Sequence, residues 1–104
     1  MYKSIVLLEF ADWLDQLGNP LLTARIAARI VRLKQGNPGD SKSVGSGVFE
    51  LRFQFGPGWR VYFAYHGKEL VILLAGGNKS SQVRDILRAK QLPNQWRLEY
   101  DVSA

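Results

Sequence analysis

From Val48 to Phe55 apolar and polar residues alternate without a break. Phe49, Leu51, Phe53 and Phe55 fall on one face, and Glu50, Arg52 and Gln54 on the other. Trp59 to His66 repeats the pattern, with Trp59, Val61, Phe63 and Tyr65 on the core face and Arg60, Tyr62 and His66 facing out. A period of two is the signature of a strand with one buried face. Gly56-Pro57-Gly58 turns the first run into the second, and His66-Gly67-Lys68-Glu69 turns the second into a third, Leu70 to Ala75. That third run is apolar on both faces and is predicted as a central strand. It is placed between the Trp59 strand and a parallel N-terminal strand, Tyr2 to Leu8, whose Ile5-Val6-Leu7-Leu8 is also apolar on both sides.

Elsewhere the period changes. Phe10, Trp13, Leu14 and Leu17 recur at helical spacing, Gly18 is a C-terminal stop, and Asn19-Pro20 restarts the chain with a cap and a first helical proline. The second helix runs from Pro20 to Lys34, with Leu22, Ile26, Ile30 and Leu33 buried and Arg25, Arg29 and Arg32 in a basic stripe beside them. Two helices joined this closely form a hairpin. Gln35 to Gly47, rich in Gly, Ser, Asn and Pro, reads as a loop. The last helix starts at Ser80 or Ser81, buries Val83, Ile86 and Leu87, and ends at Pro93. Beyond it Trp96, Leu98 and Tyr100 alternate, as an edge strand or a docked extension. The whole is an α+β domain of order β-α-α-β-β-β-α, a twisted, mainly antiparallel sheet with an N-terminal helical hairpin and a C-terminal helix. Residues 1–92 form the domain and 93–104 an extension.

Pairing decides which polar residues meet. Setting Phe55 opposite Trp59 keeps apolar side chains together, and then Arg52 faces Tyr62 while Gln54, Arg60 and Ala75 lie side by side. A bulge at Gly58 would shift this pairing by one. Lys79 follows just beyond that end of the sheet. Arg52, Arg60, Tyr62 and Lys79 are therefore the candidate site residues, and Lys42, Gln54, Gln82 and Arg84 the candidate contacts to a polyanionic partner. Each also has a plainer role open to it. Arg52 and Glu50 could be solvated partners, Arg60 could stack on Trp59 or pair with a carboxylate, and Lys79 could simply precede a helix cap. His66 sits in a turn at the far end and is read as a solvated residue.

Composition narrows the chemistry. Hydrophobic residues make up 46% of 104, enough for one core. Cysteine is absent, which excludes disulfides, thiolate zinc sites and a cysteine nucleophile. No apolar run approaches a membrane span, and the N-terminus lacks a signal-peptide pattern, so a cytoplasmic location is expected. A net charge of +5 and a pI near 9.8 suit a polyanionic partner, nucleic acid or an acidic protein.

Gly47-Val48-Phe49-Glu50-Leu51-Arg52, Gly56-Pro57-Gly58-Trp59-Arg60-Val61-Tyr62-Phe63 and Leu73-Leu74-Ala75-Gly76-Gly77-Asn78-Lys79-Ser80-Ser81-Gln82, with Asp85-Ile86 and Ala89, resemble the addiction-module killer proteins, a HigB-like branch of the RelE-type toxins. The resemblance covers about residues 2 to 92. It implies a toxin of a type II toxin–antitoxin module, an mRNA endonuclease working on the ribosome without metal or cofactor and neutralised by a helix-turn-helix antitoxin. Cleavage by attack of a ribose 2′-OH on the adjacent phosphate needs a base, cations around the phosphorane and an acid for the leaving 5′-oxygen. The motif positions carry over to Arg52, Arg60 and Lys79, and to Tyr62 as a position whose role is open. A ParE-type gyrase poison shares the fold without needing these residues, and a non-catalytic antitoxin- or nucleic-acid-binding module is the third reading.

Overall fold

The computed structural model describes residues 1–101, with side chains through Pro93. Strands β1 (Lys3–Val6), β2 (Ser41–Gly45), β3 (Val48–Arg52), β4 (Arg60–His66) and β5 (Leu70–Gly77) form one sheet in the order β1-β5-β4-β3-β2. β1 is parallel to β5, and the other pairs are antiparallel. Helices α1 (Leu8–Gln16) and α2 (Pro20–Lys34) precede β2, and α3 (Gln82–Asp101) follows β5. The α+β class, the central β5 and the parallel β1 agree with the sequence pattern.

Two cores explain which strands are apolar on both faces. Phe10, Leu22, Ile26 and Leu33 of α1 and α2 pack on Leu51, Val61, Phe63, Val71 and Leu73. On the opposite face Ala89 and Leu92 of α3 pack on Val48, Tyr62, Ala64, Ile72 and Leu74. Layers on both sides bury the sheet twice, so the "outer" face of β3 and β4 is not solvated. A bulge contributes to this arrangement: the ladder passes from Tyr62↔Ala75 to Phe63↔Leu73, leaving Leu74 unopposed, and both Leu74 and Ala75 join the α3 side.

Several local expectations are corrected. Ser41–Gly45 is an edge strand rather than part of a loop. It returns into β3 through Ser46 and Gly47, whose φ of 57° and 76° suit a tight hairpin turn. Its Ser-Lys-Ser-Val-Gly sequence has one apolar residue, so pairing alone makes the strand and no alternation announces it. The β3–β4 register is Arg52↔Arg60 and Glu50↔Tyr62, two residues from the expected pairing. A slip of two preserves every facing, so hydrophobicity cannot choose between the registers. The turn chooses: the Phe53 amide donates to Trp59 O (3.0 Å), and Phe55 leaves the ladder to lie under the Arg25 guanidinium, 4.3 Å from its ring centre.

In α3, Ile86 packs toward the sheet as expected, joined by Ala89 and Leu92, but Val83 and Leu87 are exposed. The helix also runs through Pro93 rather than ending there, so the tail is helical to Asp101 rather than a strand. The side-chain docking expected for Trp96, Leu98 and Tyr100 lies outside the described residues, as do residues 102–104. The cap ahead of α3 is Asn78, which caps the 3₁₀ turn leading into the helix rather than the helix itself. Its Oδ1 accepts from the Ser80 and Ser81 amides (2.9 and 3.2 Å), opening a 3₁₀ turn, Lys79–Ser81, that feeds α3. Asn19 caps α2 as expected, accepting from the Leu22 amide at 3.1 Å.

Candidate active site

One end of the sheet gathers the chemistry. Arg52 ends β3, Arg60 begins β4 directly opposite it, and Gly77 ends β5 opposite Arg60. The next row inward on the same face is Lys42, Glu50, Tyr62 and Ala75. Two glycines let helices close over this end. A Cβ at Gly76 would overlap the Trp13 ring of α1, and one at Gly77 would overlap the Asp85 carboxylate of α3. The start of α3 therefore sits hard against β5, with Gln82 and Asp85 turned inward.

Glu50 is the centre of the covered part. It is 1% exposed, accepts a hydrogen bond from Gln82 Nε2 at 2.8 Å, and lies 3.7 Å from Arg60 Nε. Removing both charges from water would be costly; pairing and the amide donor offset that cost. Arg60 is itself only 11% exposed, and its Nη1 donates to Gly58 O and Trp59 O at 3.0 and 3.1 Å. The guanidinium is thus held across the hairpin turn. Its Nε is buried without a hydrogen-bond partner.

Tyr62, expected to face out, is fully buried beside Glu50, and its hydroxyl lacks a partner of good geometry. Burial first, then the Glu50 and Asp85 carboxylates, push its pKa well above the usual tyrosine value. It is a protonated phenol at neutral pH.

Arg52 lies outside this covered group. Its Nε and Nη2 donate to Asp40 Oδ1 at 3.0 and 2.8 Å, and the pair is about one-third exposed. Gln54, displaced from the ladder by the observed register, donates to Asp40 Oδ2 at 2.5 Å. These bonds, Gln54's first and Arg52's next, hold the Asp40 carboxyl below its usual pKa. Arg29 of α2 fixes the backbone here, donating to Arg52 O, Pro38 O and Asp40 O while its guanidinium lies 4.7 Å over the Phe53 ring. The basic stripe of α2 is therefore partly structural: Arg25 and Arg29 both cover aromatic rings.

Lys79 is exposed on the 3₁₀ turn, and its amide donates to Pro57 O at 3.3 Å. A Cβ at Gly58 would lie 3.1 Å from Lys79 Cβ and 3.4 Å from Arg60 Nη1, so the stem of Lys79 and the Arg60 guanidinium both approach Gly58. Among the expected RNA contacts, Lys42 is exposed on β2 and Arg84 is exposed on α3, while the Gln82 amide is committed to Glu50. His66 lies six residues from Arg60, about 20 Å along β4. Among the described residues no group of His, Cys, Asp and Glu is placed to hold a metal ion. Asp40 is the polar partner that sequence reasoning passed over, while Glu50 was read as a solvated partner of Arg52 and Asp85 only as a motif residue. Glu50 alternates with Arg52 on one face and was open to inference, but Asp40 reaches the site only because β2 pairs with β3.

Residues 12–94 match the model of the family described as phage-derived protein Gp49-like (DUF891). The chain belongs to the Gp49-like family. That family is related to the toxins of toxin–antitoxin pairs, which agrees at this level with the resemblance carried by the motifs and brings with it an antitoxin as partner. A protein of Haemophilus influenzae described as uncharacterized is 53% identical over 85 residues, 82% of this chain and 86% of the relative. The Gp49-like match takes in Arg52, Arg60 and Lys79 together with Glu50, Gln82 and Asp85. No described helix is long and apolar enough to cross a membrane.

Proposed function

We propose that this Gp49-like chain is the toxin of a type II toxin–antitoxin pair and a metal-independent endoribonuclease that cuts mRNA on the ribosome. The observation that carries the reading is the direct pairing of Arg52 with Arg60 at the sheet end where Lys79 also lies. A phosphodiester passing through a phosphorane gains negative charge, and fixed cations stabilise that charge more than the ground state. Arg52 is accessible and forked, suited to two non-bridging oxygens. Arg60, restrained by Glu50 and the turn carbonyls, offers charge at a fixed position with little reorganisation. Exposed Lys79 is the group free to approach the leaving 5′-oxygen or the attacking 2′-OH. Tyr62 lies beneath, a buried neutral phenol rather than a base.

An antitoxin of the helix-turn-helix kind fits as neutralising partner in the cytoplasm. An apolar groove of about 1030 Å³ between α1 and α2, lined by Phe10, Leu14, Ile30 and Leu73, offers it anchoring ground. The test is RNA cleavage during translation by purified protein. Wild type is expected to cut mRNA within coding regions. Arg52→Ala, Arg60→Ala and Lys79→Ala are each expected to slow cutting by roughly 10²-fold or more, the scale of one lost transition-state donor. Intact mRNA with double-strand DNA breaks would instead indicate gyrase poisoning.

A further inference from the structure

Asp40 holds an arrangement that an anion from outside could hold equally well. Its two carboxylate oxygens divide their donors: Oδ1 takes both Nε and Nη2 of Arg52, and Oδ2 takes the Gln54 amide. A phosphodiester presents two non-bridging oxygens of the same charge type to the same fork. We propose that Asp40 is a built-in stand-in for a backbone phosphate, occupying a seat made by Arg52 and Gln54 from which a phosphate of the bound nucleic acid displaces it. The seat itself is a statement about phosphate; its assignment to RNA rests on the function proposed above.

Three features support exchange rather than a fixed structural pair. Arg52 and Asp40 side chains are 35% and 32% exposed, and Gln54 is exposed, so the seat opens to solvent. An ion pair of that exposure is weak, because water and salt compete for both partners. The backbone of Asp40 is held independently of its carboxylate, since Asp40 O accepts from the Arg52 amide at 2.9 Å and from Arg29 Nη2 at 3.2 Å. The side chain can swing away while the loop stays in place. The seat is also correctly sited: Arg52 is the cross-strand partner of Arg60, so a phosphate there enters the field of the second guanidinium. Arg60 makes a useful contrast. Its Glu50 partner is 1% exposed and bonded to Gln82, which leaves no route for an outside anion to replace it.

The contact thus sets a threshold on binding. Any phosphate at Arg52 must first break the Asp40 bonds, and removing the carboxylate should lower the threshold while leaving the cations intact. The experiment titrates inorganic phosphate into wild type, Asp40→Asn and Asp40→Ala, following the Arg52 Nε–Hε resonance by NMR. Both variants are expected to show a saturable shift at about two- to fivefold lower phosphate than wild type, the worth of one exposed ion pair. A folded variant whose Arg52 resonance ignores phosphate, or that needs more phosphate than wild type, overturns the proposal and makes Asp40 a positioning residue for Arg52. The two substitutions guard against misfolding, since Asn keeps the shape and Ala removes it; the backbone amide spectrum checks both. A second arm measures a short RNA carrying a 2′-deoxy block at the cleavage position. It should bind the variants more tightly by the same factor. Phosphate binding at Arg52 without RNA binding by any of the proteins would leave the seat standing and count against the ribonuclease reading instead.

Discussion

At the scale of single residues, the site divides into a covered group and an open one, and the two make opposite demands. Glu50, Arg60 and Tyr62 lie under α3, where each polar atom needs a partner, and the Tyr62 hydroxyl lacks one. Tyr62→Phe is therefore expected to leave stability unchanged or slightly raised near neutral pH, because the hydroxyl has no hydrogen bond of good geometry to lose. The pH dependence has a definite sign. The folded pKa of Tyr62 is raised, so the protonated phenol contributes stability that is present below the unfolded value, about 10. That contribution is lost as pH rises past it. Urea midpoints measured from neutral to alkaline pH should fall less steeply for Tyr62→Phe than for wild type. Parallel curves would mean that the hydroxyl ionises freely in the folded protein.

At the scale of elements, the junction between β5 and α3 is set by one missing side chain. Gly77 allows the Asp85 carboxylate and the Ser81 hydroxyl to lie where a Cβ would be, and Ser81 Oγ in turn bonds Asp85 Oδ2 at 2.5 Å. Gly77→Ala should push the start of α3 outward, at a cost of about 1–3 kcal/mol for forced overpacking. It should also separate Gln82 from Glu50 and so expose the covered group. Equilibrium unfolding checks the first effect. The second appears as a change at the Gln82 side-chain amide resonances, which should move in the variant while those of Gln54 stay. An unchanged unfolding midpoint would show that α3 yields without strain. The alternation in β3 and β4 located these strands from sequence alone, and the Asn19-Pro20 pair located α2 to the residue. The inward face of α3 escaped that reading because Gln82 and Asp85 are drawn in by Glu50 and Gly77, against their own hydropathy, while Val83 and Leu87 are left outside.

For the whole molecule, the relevant quantity is the +5 charge and where it is available. Arg25 and Arg29 are placed over Phe55 and Phe53, and Arg88 is bonded to Glu9 at 2.7 Å, so part of the basic surplus braces the fold. Arg52, Arg60 and Lys79 gather at one sheet end, with Lys42 exposed on β2 and Arg84 exposed on α3, and under the function proposed above these are the cations that meet RNA. With about three to five phosphates engaged, log K for single-stranded RNA should fall with log[salt] at a slope of about −2 to −3.5. Arg60→Ala should flatten that slope by up to about 0.7, the share of one phosphate on a single strand. Arg29→Ala should weaken the fold and leave the slope alone, since its donors are spent on backbone carbonyls. Binding that ignores salt would assign the positive surface to the partner protein instead.

The amino-acid sequence by itself determined the α+β class, the double-sided burial of β5, the bounds of α2 and the identity of the arginines and lysine at issue. Each of these follows from local periodicity, capping and composition. Only the tertiary structure decided the register that sets Arg52 against Arg60, since a two-residue slip leaves every hydrophobic facing unchanged. It alone turned Ser41–Gly45 into an edge strand, and with it brought Asp40 to Arg52 across twelve residues of chain. It alone laid α3 on the polar face of β3 and β4, which buried Glu50 and Tyr62 and left Arg52 and Lys79 open. Register, edge pairing and helix placement depend on contacts between segments distant in the chain, and no single segment's hydropathy records them.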